Sequence, residues 1–160
     1  NRNIMETNEK AIDALNDLIR INNDRIVGYE KAIEDSGDDK SNESLFRRMI
    51  DQSNSLRQQL MTEVMNIGGE AEKSETTNSG KIYRVWMDIK STLAGKSELS
   101  VLELCEFGED AAQKAYKEAL VDAEHMTDST RELIVKQKSE LKESHDLIKA
   151  KRDMHKVANA

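Results

Sequence analysis

Apolar residues recur at three- and four-residue steps along most of the chain, the spacing of one buried face of an α-helix. Polar turns or paired glycines interrupt this spacing, as at Gly68 and Gly69, and so divide it into separate elements. The pattern predicts four long helices and one short one, over about 8–35, 43–67, 81–93 (the short helix), 99–120 and 130–156.

In the first predicted helix, a heptad-spaced apolar seam is interrupted once, by Asn22. The other seam positions are Ile12, Leu15, Ile19, Ile26, Tyr29 and Ile33. This register predicts that the isoleucines face the core and that Glu30 lies beside the seam.

The predicted helix over 99–120 places acidic residues on or near its apolar stripe. Glu109 lies on the stripe, and Glu106 lies one turn before it. A carboxylate that faces a helix-bundle core is costly unless it is paired, protonated or bound to a metal. The sequence offers three predicted partners for these two carboxylates: Arg57, Arg84 and His145.

The four long helices are each long enough to run the length of a bundle, and most connections between them are short. The connection between the second and third long helices is longer and contains the short helix. One long crossover of this kind is typical of ferritin-like bundles. We therefore predict an all-α, antiparallel four-helix bundle of the ferritin-like type that forms a single domain over 1–160.

Composition narrows the choice of fold and partners. The 160 residues include no proline, which favours long helices, and no apolar run long enough to span a membrane. The net charge of −7 argues against nucleic acid as a partner. Cys105 is the single cysteine, so no internal disulfide can form. This fits a reducing compartment, and we predict a cytoplasmic protein. We also predict that Cys105 is a core residue, because it lies on the apolar stripe of its helix.

Several segments, in order along nearly the whole chain, resemble a bacterial family of unknown function that is described as a ferritin-like four-helix bundle. The segments are LNDLIRINNDRIVGYEKAIED (15–35), GGE (68–70), RVWMDIK (84–90), CEFGEDAAQKAYKEAL (105–120) and SHDLIKAKRD (144–153). The resemblance implies a fold and no reaction. The family commonly carries His-Arg before the tryptophan, whereas this chain carries Tyr83 and Arg84.

The metal motif of di-iron bundles is not complete in this sequence. Such bundles use a Glu from each of two helices and a Glu-x-x-His pair from each of the other two. None of the three histidines has a glutamate three residues before it. A reduced site remains as a hypothesis, in which carboxylates and one imidazole bind iron, manganese or zinc. Its predicted ligands are Glu30, Glu106, Glu109 and His145, with Glu63 as a possible addition. The competing interpretation is structural, with His145 hydrogen-bonded in the core and the carboxylates in a polar network that fixes helix register.

Three functions follow from these interpretations. The first is a non-enzymatic bundle without a cofactor that acts through self-association, as a homodimer, or through a protein partner, under stress conditions. The alternative is a ferritin-like protein that binds iron or manganese at the degenerate site. A sensor that binds a small ligand between the helices is the third, and no particular residue supports it.

Overall fold

The computed structural model describes residues 2–72, 97–121 and 123–158, with side chains from residue 8 onward. These residues form four long helices and one 3-10 turn. The elements are α1 (Arg2–Asp35), α2 (Glu43–Asn66), α3 (Glu98–Ala119), the 3-10 turn (Ala123–His125) and α4 (Asp128–Ala158). Within these described residues, the prediction of an all-α fold with four long helices is confirmed. The predicted short helix over 81–93 and its Trp86 lie outside the described residues.

Helix α1 packs antiparallel against both α2 and α3. Asn22 of α1 bonds Tyr116 of α3, and Arg25, which lies later on α1, bonds Glu109, which lies earlier on α3. The two helices therefore run in opposite directions. In the same way, Arg57 of α2 bonds Asn23 while Arg25 reaches Met49 and Ser53, which lie earlier on α2. Polar side chains of α1 therefore bond both of its neighbours, α2 and α3.

Helix α4 is antiparallel to its own two neighbours, α2 and α3. Thr130 near its start bonds Glu63 of α2, and Ser144 further along bonds Gln52. The helices thus form a four-membered ring in the order α1, α2, α4, α3, with antiparallel contacts between neighbours.

The chain leaves α2 and enters α3 at opposite ends of this bundle. After α2, Glu72 bonds Asn16 in the first half of α1, whereas Glu98 at the start of α3 bonds Asn42 at the start of α2. This arrangement agrees with the predicted long crossover between the second and third long helices.

Local chemistry explains the helix ends. The Ser97 hydroxyl accepts a hydrogen bond from the Ser100 N–H and caps α3. Gly68, with φ of 87°, allows the chain to turn just after α2. Asn42 is the N-cap residue of α2, but its side chain makes no capping bond and bonds Glu98 on α3 instead.

The buried seam of α1 differs from the predicted one. Four positions of the predicted seam are buried as expected, namely Leu15, Ile19, Asn22 and Tyr29. The other three, Ile12, Ile26 and Ile33, are only partly buried. The buried residues at heptad spacing are Ala11, Leu15, Leu18, Asn22, Arg25, Tyr29 and Ala32. The helix is rotated from the predicted register, because Arg25 finds an anionic partner inside the bundle and can be buried at little net cost.

Among the described helices, none is both long enough and apolar enough to cross a membrane.

Candidate functional site

The centre of the bundle contains a buried ion pair between Arg25 of α1 and Glu109 of α3. Arg25 Nε donates to Glu109 Oε1 at 2.6 Å, and the two side chains are 2% and 0% exposed. The Tyr29 hydroxyl donates to the same carboxylate oxygen at 2.7 Å. The rest of the Arg25 guanidinium donates to the Ser53 hydroxyl and to the Met49 carbonyl on α2. One guanidinium therefore ties three helices together.

Burial, together with this ion pair, shifts the pKa values of the buried groups around it. Burial opposes the charged form of Arg25, but the Glu109 carboxylate beside it keeps the pKa of Arg25 above its ordinary value. Burial and the nearby Glu109 charge raise the pKa of Tyr29 and of the Cys105 thiol well above their ordinary values. Cys105 is thus a neutral core residue, as the sequence predicts, and a weak nucleophile.

A second buried polar layer lies one to two turns away and involves all four helices. Asn22 donates to the Tyr116 hydroxyl, which donates to Gln137 Oε1. Gln137 Nε2 in turn donates to the Leu56 carbonyl of α2. Burial is the main cause that raises the pKa of Tyr116, so its hydroxyl stays protonated and continues to donate.

A separate cluster of metal-ligating groups lies in the groove between α3 and α4. Glu106 and Asp110 are four residues apart on α3 and so share one face of the helix. His145 of α4 faces them, and one ligand atom from each of the three residues lies within 4.8 Å of the others. The Glu106 and His145 side chains are 11% and 13% exposed, whereas Asp110 is 61% exposed. The cluster is therefore open to solvent on the Asp110 side.

The imidazole of His145 is held by carboxylates on both of its nitrogens. Nε2 faces Asp110 Oδ1 at 2.5 Å, and Nδ1 faces Asp146 Oδ1 at 3.1 Å. Hydrogen bonds from Lys142 and His145 lower the pKa of Asp146, which keeps that outer carboxylate ionised. On the other side of the cluster, Arg152 Nη1 donates to Glu106 Oε2. The arrangement can act as a three-ligand cation site once Glu106 is released from Arg152.

The structure brings two of the four predicted ligands together and places the other two elsewhere. Glu106 and His145 share the groove cluster. Glu109 is bonded to Arg25 in the bundle centre, and Glu30 is exposed on α1. His145 lies at the edge of the buried face of α4, because the neighbouring Ser144 occupies the more buried position.

Asp110, Arg25 and Arg152 are charged residues of these networks that the sequence prediction misses. Asp110 is absent from the predicted ligand set, although its four-residue spacing from Glu106 is visible in the sequence. Arg25 and Arg152 are the cations that pair with Glu109 and Glu106, in place of the predicted Arg57 or His145. Arg57 bonds Asn23 and Asn54 instead. Arg84 lies outside the described residues.

Comparison with known proteins identifies the family and no activity. Residues 10–122 match the model of a family described as a domain of unknown function, DUF2383. The matched range covers most of α1 and all of α2 and α3, and ends before α4, which supplies His145. No curated protein and no solved structure matches the chain. Since the family model covers more than half of the sequence, the chain belongs to the DUF2383 family.

Proposed function

We propose that this protein is a ferritin-like, non-enzymatic helical bundle that binds one divalent transition-metal ion at Glu106, Asp110 and His145. The observation that carries the proposal is the convergence of two carboxylates and one imidazole from two helices, with ligand atoms within 4.8 Å of one another. Mixed carboxylate and imidazole ligands suit iron, manganese and zinc.

The surroundings of His145 support a ligand role. Metal-binding histidines usually donate their second ring N–H to a carboxylate, which fixes the tautomer and the ring orientation. Asp146 occupies that position at Nδ1, which leaves Nε2 directed towards Asp110. The imidazole is therefore already oriented for a cation between Glu106 and Asp110.

The bundle centre is a poorer place for a cation. Glu109 Oε1 already accepts two hydrogen bonds, one of them from the Arg25 guanidinium. A metal ion at Glu109 would lie beside that buried positive charge, where the low dielectric strengthens repulsion. We therefore leave Glu109 out of the proposed site, together with the exposed Glu30.

The ferritin-like part of the proposal rests on topology. Neighbouring helices are antiparallel, and the α2–α3 connection joins opposite ends of the bundle. Bundles with one long crossover have this arrangement. The proposed site differs from theirs, because it lies in the groove between two helices and not among all four.

Direct metal titration tests the proposal. Tag-free protein is titrated by calorimetry with Zn²⁺, Mn²⁺ and, without oxygen, Fe²⁺, and the bound metal is quantified by elemental analysis. We expect one equivalent of at least one of these ions. Asp110→Asn and His145→Gln should each weaken its binding by about tenfold or more, since each removes a direct ligand.

Glu103→Gln provides the matched control, because Glu103 is an exposed carboxylate on the same helix. Its metal affinity should equal that of the unmodified protein. The proposal fails if none of the three ions binds, or if binding survives both ligand substitutions unchanged.

Self-association or a protein partner remains a prediction from the sequence. Such contacts would use exposed large apolar side chains, which do not form a single group along the chain. They include Met65 on α2, Phe107 on α3, Val121 after α3 and Met154 on α4. Sedimentation velocity with and without the bound metal measures the association state directly.

A further inference from the structure

We propose that Arg152 competes with the metal ion for Glu106 and thereby sets the affinity of the site. This inference rests on the proposed metal-binding function. Arg152 would act through Glu106 without itself touching the metal, and it is therefore a positioning residue.

The contacts of Arg152 place its charge beside one ligand only. Nη1 donates to Glu106 Oε2 across the α3–α4 groove. Nε and Nη2 donate to Asp153 Oδ1 on its own helix, at 3.1 and 2.8 Å. Asp110 and His145, the other two proposed ligands, bond each other. Arg152 therefore bonds one proposed ligand, Glu106, and makes no such bond to the other two.

A metal ion and the Arg152 guanidinium are alternatives at Glu106. Both are positively charged, and both use the carboxylate oxygens of a side chain that is nearly buried. A cation that enters between Glu106 and Asp110 must either displace the guanidinium or bind beside it against its repulsion. Either event subtracts from the net affinity for the metal.

Arg152 also has an alternative partner after displacement. The Asp153 carboxylate is about half exposed, and its pKa is lowered chiefly by the hydrogen bond from Arg152, so it remains an ionised acceptor. The guanidinium can keep that contact and turn towards solvent when Glu106 turns to the metal. Displacement therefore leaves no buried unpaired charge.

Competition and a purely structural ion pair predict opposite changes in metal affinity when Arg152 is removed. If Arg152 only stabilised the helix packing, its removal would loosen the groove and weaken metal binding. If Arg152 competes for Glu106, its removal should strengthen binding. We expect Zn²⁺ to bind Arg152→Gln roughly tenfold to a hundredfold more tightly, the range over which residues around a site alter metal affinity.

Three further variants complete the experiment. Arg152→Lys keeps the positive charge, so its affinity should stay closer to that of the unmodified protein than to that of Arg152→Gln. Arg152→Met removes the charge but keeps an apolar side chain, and it replaces Arg152→Gln if that variant does not fold. Arg131→Gln, which removes an exposed pair with Asp128 on the same helix, should leave the affinity unchanged.

The variants are compared by Zn²⁺ calorimetry and by thermal unfolding in the absence of metal. Tighter binding by the uncharged variants, with a melting temperature equal to or below that of the unmodified protein, supports competition. Equal or weaker binding overturns the inference while the proposed function stands. Absence of Zn²⁺, Mn²⁺ and Fe²⁺ binding in every variant rejects the proposed function, and the inference with it.

Discussion

The buried Arg25–Glu109 pair gives the most quantitative prediction for stability. Replacing Glu109 by Gln removes the charge that neutralises a guanidinium only 2% exposed. Two hydrogen bonds to Glu109 Oε1 are weakened, from Arg25 at 2.6 Å and from Tyr29 at 2.7 Å. A hydrogen bond to a charged group contributes about 1.5–3 kcal/mol and one between neutral groups about 0.5–1.5 kcal/mol, so the two weakened bonds lose about 2–3 kcal/mol. The buried Arg25 guanidinium left without its counter-charge adds to this loss, so the total should reach the roughly 3–5 kcal/mol typical of breaking a buried ion pair from one side.

A double-mutant cycle separates the pair from its two members. Arg25→Met leaves the Glu109 carboxylate uncompensated and should also cost roughly 3–5 kcal/mol. The double variant buries no unpaired charge at either position, so it should cost about 1–3 kcal/mol, well below the sum of the two single losses. The unfolding free energies are measured by urea denaturation followed by circular dichroism, with slopes compared to check that the transition stays two-state.

Glu103→Gln serves here too as the charge-matched control, because an exposed surface change should shift the unfolding free energy by less than about 0.5 kcal/mol. The reasoning is refuted if Glu109→Gln costs less than about 1 kcal/mol, or if the losses of the two single variants simply add in the double variant.

Two further predictions follow from the buried ionisable groups. Because the pKa values of Tyr29 and Tyr116 are raised, the folded protein retains protons that the unfolded chain loses above about pH 10. The contribution of these tyrosines to stability is therefore full below that pH and falls as the pH rises. Urea midpoints measured across this range should show the fall, and the fall should be smaller in Tyr116→Phe. A pH-independent midpoint would contradict this prediction. Since burial raises the pKa of the Cys105 thiol, a thiol-specific reagent should modify native protein far more slowly than urea-unfolded protein, and equal rates would exclude the buried position.

Helix placement could be predicted from the sequence because the signals are local. Apolar spacing, interrupted by polar turns and glycines, predicts helix bounds that agree with the structure to within two residues at most ends. The start of α1 is the main difference, since the helix begins at Arg2 and not near residue 8. Residues 2–7 follow no strong apolar periodicity, so the pattern gives no reason to extend the helix.

The side-chain networks could not be predicted in the same way, because they depend on pairings between distant parts of the chain. Two registers of α1 fit heptad spacing, one with Ile26 inside and the other with Arg25 inside. Apolar periodicity favours isoleucine. The structure favours arginine, because Glu109, 84 positions further along the chain, supplies the charge that makes burial possible.

The acidic residues of α3 divide into two sets with different access to cations. Glu109 faces α1, where the Arg25 guanidinium already neutralises its charge. Glu106 and Asp110 face α4, where Arg152 pairs with Glu106, His145 pairs with Asp110, and the Asp110 side reaches solvent. A cation can approach Glu106 and Asp110 without opening the core. It can reach Glu109 only by breaking the Arg25–Glu109 pair, on which stability depends. We therefore expect Asp110→Asn to weaken metal binding strongly. Glu109→Gln, studied under conditions in which it remains folded, should change metal binding little.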